Sequence, residues 1–289
     1  MACSRSIGCC SLPRSSHFGS PARAQVPEGP EYDGLQAAEL KARLGLPRVD
    51  VYDSISSTMD AAHAAAEAGA PAGTLIIADR QTAGRGRAGR RWASSAGAGL
   101  YLTLIERPTD AKALDVLSLR LGIRLAPVLD GFTGGQRVEI KWPNDLYIGT
   151  GKLAGILSEA RWQDERPSWV AIGLGINVIA PPEVPGAVGL RAGVHRAELL
   201  AAVVPALRAA ARQKGALTEA ELEEYAMRDM ARGHTCREPA VGTVAGISPS
   251  GELLVRCGEA VGAYRSGSLV MGPPGGVGGI FSPPNPQGL

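Results

Sequence analysis

No apolar run in this 289-residue chain is long enough to span a bilayer. Metal-binding spacings are also missing. The five cysteines are Cys3, Cys9, Cys10, Cys236 and Cys257, in an arrangement that suggests neither a zinc site nor a disulfide framework. A reducing, cytoplasmic setting is therefore the default. The net charge is only +2, so no global field draws the protein to nucleic acid or membrane. Internal repeats are absent, and so is any Ser-His-Asp or Cys-His pattern. No acidic residue precedes Glu28, and none of the residues from 272 to 289 is charged. The first stretch reads as an unfolded leader over 1–34, either an organelle transit peptide or a segment without function. It is too short and too poor in periodic apolar residues for a DNA-binding module. The second reads as a disordered Gly/Pro tail.

What is present is an apolar fraction of 45%, enough for one large domain and a small one. The most distinctive stretch runs from Gln81 to Trp92. Its arginines Arg85, Arg87, Arg90 and Arg91 alternate with Gly84, Gly86 and Gly89, with no acidic residue among them. Glycine allows close backbone approach, and arginine offers a planar fork of donors for phosphate and carboxylate. Such a loop suits closure over a small anion. By itself it fits equally well a solvated basic loop.

Around it, the pattern predicts strands at 49–52, 74–78, 100–105, 152–159 and 169–178. Two short strands flank Trp142-Pro143-Asn144-Asp145, and Gly149-Thr150-Gly151 reads as a hairpin turn. Helices are predicted at 59–68, 114–132, 195–213 and 218–230. Ser56-Ser57-Thr58 suits an N-cap and could equally hold a polar ligand. An interior glycine, Gly155, suggests close approach by a ligand. His63 and His195 show no partner pattern and read as surface or packing residues. After Glu238 the texture becomes short strands, 241–247, 253–255 and 263–269, parted by turns. The chain thus divides into a catalytic-type domain over 35–235 and a small β module over 236–271.

Four stretches stand together: Gly84-Arg-Gly-Arg-Ala-Gly-Arg-Arg-Trp92, Lys141-Trp-Pro-Asn-Asp-Leu146, Gly151-Lys-Leu-Ala-Gly-Ile-Leu-Ser-Glu159 and Ile172-Gly-Leu-Gly-Ile-Asn-Val178. In this order and spacing they closely resemble biotin protein ligases, over about residues 49–270. The resemblance implies an α/β (α+β) fold: a mixed sheet with flanking helices, plus a C-terminal β-barrel of the Src-homology-3 type. It also implies a two-step reaction. Biotin and MgATP form biotinyl-5′-adenylate and pyrophosphate; the adenylate then acylates one lysine of a biotin carboxyl carrier domain in a biotin-dependent carboxylase. No counterpart of the family's winged helix-turn-helix is visible, which points to its ligase-only class. Monomer and homodimer both stay open, as does which carboxylase is served.

Residue by residue, Ser57, Thr58 and Gln81 match positions that bond biotin's ureido ring. Arg85, Gly86 and Arg87 match the loop that folds over biotin and the adenylate. Lys152 matches the lysine near the biotin carboxylate and α-phosphate; it and the two arginines are the catalytic candidates. Gly155 matches a close backbone contact with biotin. The nucleotide candidates are Arg87, Arg90, Trp92, Asn144, Lys152 and Asn177. Asp145 is the candidate ligand for Mg²⁺. Arg91 is expected in solvent. One position departs from the family: Met59 stands where it usually has Asn, and this predicts weaker biotin binding. Losing one neutral hydrogen bond costs about 0.5–1.5 kcal/mol. Two other readings were weighed. Lipoate-protein ligases share the fold in outline, but the Gly-Arg-Gly-Arg and Lys-Trp-Pro-Asn-Asp stretches favour biotin. A non-catalytic biotin- or adenylate-binding regulator is opposed by the presence of Arg85, Arg87, Lys152 and Asp145.

Overall fold

The computed structural model describes residues 29–272. The charge-free tail from 273 onward, the leader before 29 and the three N-terminal cysteines lie outside the described residues.

The folded part begins earlier than the composition predicts. Strands β1 (Glu31–Tyr32) and β2 (Leu35–Gln36) form a tight antiparallel hairpin. Its turn is Asp33-Gly34, both at positive φ, the conformation a two-residue hairpin turn demands. Tyr32 is fully buried, and Arg196 lies 4.5 Å from its ring centroid while pairing with Asp33 and Asp79. Residues 29–34 therefore belong to the folded body. Helix α1 (Ala37–Leu44) follows, with a capping box between Gln36 and Glu39 and a left-handed Gly45 at its end. At eight residues it shows too little periodicity to be read in advance.

Next come β3 (Arg48–Ile55), α2 (Thr58–Glu67), β4 (Thr74–Gln81) and β5 (Gly99–Glu106). The long helix predicted at 114–132 is two helices, α3 (Ala111–Asp115) and α4 (Leu117–Asp130), parted at Val116, whose ψ of 3° leaves the helical range. Then follow β6 (Glu139–Lys141), β7 (Asp145–Ile148), β8 (Gly151–Gln163), β9 (Arg166–Asn177), α5 (Arg196–Arg212) and α6 (Glu219–Arg228).

Seven of these strands make one sheet in the order β3-β4-β5-β9-β8-β7-β6. Only β3 and β4 run parallel, joined by α2; all other neighbours are antiparallel, so the sheet is mixed. Every residue of β5 is buried, as a central strand requires. One face carries the main core, where Leu75, Ile77, Leu104, Ile156 and Leu174 meet α4 and α5. The opposite face is covered only in part. Met59, Ala62 and Ala66 of α2 pack there against Ile76, Ile105 and Ala171. A ten-residue helix cannot roof a seven-stranded sheet, and the remainder of that face is the floor of the candidate site.

A second sheet, antiparallel throughout, starts at Thr235. Its order is β13-β12-β11-β10-β14, from β10 (Thr235–Glu238), β11 (Gly242–Ile247), β12 (Leu253–Cys257), β13 (Ala260–Tyr264) and β14 (Val270–Met271). Of the strand predicted at 263–269 only residues 263 and 264 are strand, the end of β13; the chain bends through Ser266-Gly267-Ser268, and β14 begins just beyond, at Val270. The Trp142 indole N–H donates to the Gly251 carbonyl at 3.0 Å, tying the main sheet to the β11–β12 turn. No helix among the described residues is long and apolar enough to cross a membrane.

Candidate active site

The floor is made of glycine. Register pairs Gly155 of β8 with Gly175 of β9, and Gly173 with both Thr103 of β5 and Leu157 of β8. A Cβ on Gly175 would stand 2.5 Å from Trp92 Cε2, and one on Gly155 2.9 Å from Trp92 Cζ3. On Gly173 it would stand 2.7 Å from Met59 Cε. Three side chains are thus omitted so that Trp92 and Met59 can lie directly on the sheet. The Leu157 side chain, on the same face as the glycines, and the main chain of Leu102, Ile156 and Leu174 complete the cleft.

One end of the cleft is polar and neutral. Ser57 caps α2, its Oγ accepting from the Met59 amide at 3.3 Å. Thr103 Oγ1 donates to Thr58 Oγ1 at 2.9 Å. Thr58 donates to Gln81 Oε1 from its amide at 2.9 Å and its hydroxyl at 3.1 Å. Gln81 Nε2 donates to Ser94 Oγ at 3.0 Å. Four side chains from α2, β4, β5 and the loop form one ladder that orients the hydroxyls and amide facing the cleft.

The other end is cationic. Lys152 Nζ lies 2.8 Å from Asp145 Oδ1 and 5.4 Å from the Trp92 ring centroid. Its backbone is held on both sides, donating to the Gly186 carbonyl at 2.7 Å and accepting from the Val188 amide at 3.0 Å. Arg87 Nη1 donates to Asn144 Oδ1 at 3.4 Å. Burial pushes the Arg87 guanidinium below its ordinary value, against the pull of Asp145. Among the described residues, Asp145 is the only carboxylate lining a cleft that also holds Arg85, Arg87, Arg90, Arg91 and Lys152.

The Gly/Arg stretch folds over this cleft as a small hairpin. The Gly86 amide donates to the Arg90 carbonyl at 2.8 Å, and the Trp92 amide to the Gly84 carbonyl at 2.9 Å. Ala88 and Gly89, both at positive φ, make its tip. Gly84 is confined: a Cβ there would meet the Trp92 carbonyl at 2.6 Å. Arg91 is exposed, as expected, and so is Arg90; both border the cleft.

Ser57, Thr58, Met59, Gln81, Arg85, Gly86, Arg87, Arg90, Trp92, Asn144, Asp145, Lys152 and Gly155 all line the one cleft. Asn177 does not. It is buried beneath, its amide donating to the Lys152 carbonyl at 3.3 Å, which supports Lys152 from behind. The Arg85 guanidinium, which the resemblance assigns to ligand oxygens, lines the cleft and pairs with Asp60 at 2.7 Å and Glu159 at 2.6 Å. His63 is buried, as the packing reading has it, and holds partners no sequence pattern shows: Glu159 on Nε2 and Trp169 on Nδ1. Sequence reasoning missed Thr103, Ser94, Gly173 and Gly175. The Gly-Leu-Gly repeat in β9 was the available signal, since two glycines two apart in a strand clear one face.

A model of the biotin/lipoate A/B protein ligase family matches residues 51–177. The chain is 32% identical over 208 residues to a biotin–[acetyl-CoA-carboxylase] ligase of Paracoccus denitrificans, covering 63% of this chain and 83% of that protein. It is 43% identical over 127 residues to the bifunctional ligase/repressor BirA of Bacillus spizizenii, a match that spans 44% of this chain and only 39% of that relative. Among solved structures, the biotin protein ligase from Aquifex aeolicus in complex with biotin and ATP superposes with a TM-score of 0.65 at 25% identity, over 78% of this chain and 99% of that one.

Proposed function

Since this chain belongs to the biotin protein ligase family, we propose that it activates biotin with ATP and transfers it to a lysine of a biotin carboxyl carrier domain. One observation carries the reading: the cleft is neutral and polar at one end, apolar along its length and cationic at the other. That is the inverse image of biotin, whose ureido ring, alkyl chain and carboxylate follow in the same order. A dithiolane ring would leave the Thr58–Gln81 ladder without a polar partner, which disfavours lipoate.

In the first step the biotin carboxylate attacks the α-phosphorus of ATP and pyrophosphate leaves. Both reactants are anions, so the chain's task is to hold them together and offset their charge. Lys152 and Arg87 stand where that charge gathers, with Asn144 fixing Arg87. Gly86 sits in the loop where its backbone can approach the carboxylate closely. Trp92 walls the alkyl tail, and Arg90 and Asn144 serve the nucleotide side. Asn177 acts through Lys152. In the second step the acceptor amine attacks the acyl carbonyl of the mixed anhydride and AMP leaves. No side-chain nucleophile is required; the loop's role is to exclude water from an activated acyl group.

Among the described residues no cluster of three His, Cys, Asp or Glu side chains could cage a metal. A single carboxylate, Asp145, nevertheless suits Mg²⁺, which takes most of its oxygens from phosphates. Asp145 would hold it at the cationic end, and the bound ion would neutralise phosphate charge. Cys236 and Cys257 are free, in keeping with a cytoplasmic setting.

The test is carrier biotinylation by purified protein, with pyrophosphate release followed for biotin and for lipoate. Wild type should consume biotin only. Lys152→Ala should lose about 10²–10³ in adenylate formation, the scale of removing one preorganised charge stabiliser. A Lys152→Ala variant as active as wild type would sink the site assignment.

A further inference from the structure

Arg85 joins three elements. One amino nitrogen of its guanidinium meets Asp60 in the first turn of α2, and the other meets Glu159 on β8. Glu159 is itself oriented. Its second oxygen lies 3.0 Å from His63 Nε2, and His63 Nδ1 lies 3.1 Å from Trp169 Nε1. An indole N–H can only donate, so His63 Nδ1 is the acceptor and Nε2 carries the proton given to Glu159. The order of constraint therefore runs from Trp169 through buried His63 to Glu159 and Arg85. Exposed ion pairs hold little singly; here one guanidinium is forked across two carboxylates, one of them fixed from a buried ring.

Arg85 also stands at the base of the loop hairpin, one residue after Gly84, which has no room to move. We propose that Asp60, Glu159 and His63 are positioning residues that hold Arg85 as a strap, fixing the loop over the cleft. Its consequence for catalysis rests on the function proposed above, whereas the strap itself is a property of the chain alone.

The test uses the full chain. Trypsin can cut after Arg87, Arg90 and Arg91 in the loop. Asp60→Asn combined with Glu159→Gln should raise loop cleavage about tenfold with the melting temperature near wild type. The same variant should raise KM for biotin and ATP by more than it lowers kcat. His63→Ala should reproduce part of the effect, and His63→Gln, which can still donate to Glu159, should restore much of it. Arg85→Glu should be defective, whereas Arg85→Lys, which keeps a charge for the two carboxylates, should retain part of both loop protection and activity. Cleavage unchanged in the Asp60/Glu159 variant overturns the strap. An Arg85→Lys variant that keeps protection but loses adenylate formation overturns it as well, since Arg85 must then touch the ligand. If cleavage follows the expected pattern while wild type transfers no biotin, the strap stands and the proposed function falls.

Discussion

Trp92 lies so close on Gly175 that a single methyl at Gly175 would stand 2.5 Å from the indole. The two residues come from a loop and from β9, and their contact sets the height of the ceiling above the sheet. Gly175→Ala should displace Trp92 and narrow or tilt the apolar stretch of the cleft. Overpacking of this kind costs about 1–3 kcal/mol. The expected result is a fall in kcat/KM of roughly 10- to 100-fold, by the usual factor of ten per 1.4 kcal/mol, with circular dichroism unchanged. Wild-type kinetics in this variant would show that Trp92 moves freely.

Thr103 was not foreseen as a site residue, yet its hydroxyl starts the polar ladder by donating to Thr58 Oγ1. Thr103→Val keeps the shape and removes the donor. Losing one neutral hydrogen bond at a buried position is worth about 0.5–1.5 kcal/mol. KM for biotin should rise about two- to tenfold with kcat little changed, the pattern of lost uniform binding. An equal loss in kcat would place Thr103 in the chemistry instead.

Met59 has two roles in conflict. Its methyl group covers Gly173, and it packs in the satellite core with Ala62, Ile76 and Ala171. It also lines the polar end of the cleft. Met59→Asn should tighten biotin binding by about two- to tenfold through one added hydrogen bond, and should lower the melting temperature because a polar group replaces buried apolar contact. Calorimetric binding and thermal unfolding on the same sample separate the two effects. Unchanged biotin affinity would remove Met59 from the ureido end.

Asp229 gives a pH dependence unrelated to the cleft. Burial raises its carboxyl from 3.8 to about 6, opposed by a hydrogen bond from the Ala231 amide, and its Oδ2 is buried without a partner. A raised carboxyl binds its proton more tightly in the folded state than in the unfolded one. Stability from this group therefore falls as pH rises from about 4 to about 6 and is level above that. Asp229→Asn, which never ionises, should gain on wild type across that window, by up to about 2–3 kcal/mol at neutral pH. Denaturant unfolding at pH 4, 5, 6 and 7.5 checks it; a difference constant with pH would refute the shift.

Much of the fold was legible because strands and helices announce themselves by local period. Five residues of β4 and six of β5, the cap of α2 and the hairpin turn before β8 were read correctly because neighbours a few positions away determine them. Elements with little period of their own were missed: two-residue β1 and β2, eight-residue α1, and the break at Val116. Most of the candidate site was legible only through the four stretches taken together, because the Gly/Arg loop alone fits a solvated basic loop equally well.

Side-chain partnership was not legible. Arg85 lies 25 residues from Asp60 and 74 from Glu159, and His63 lies 106 from Trp169. From the sequence alone Arg85 was one cation among four and His63 had no partner. Residue type and local period by themselves determined the strands, the helices and a basic loop; the mixed sheet and the role of Lys152 followed only from the resemblance. That Arg87 meets Asn144 while Arg85 is tied to two protein carboxylates was decided only in three dimensions. The register of β8 and β9 and the placement of α2 bring together charges that no local pattern relates.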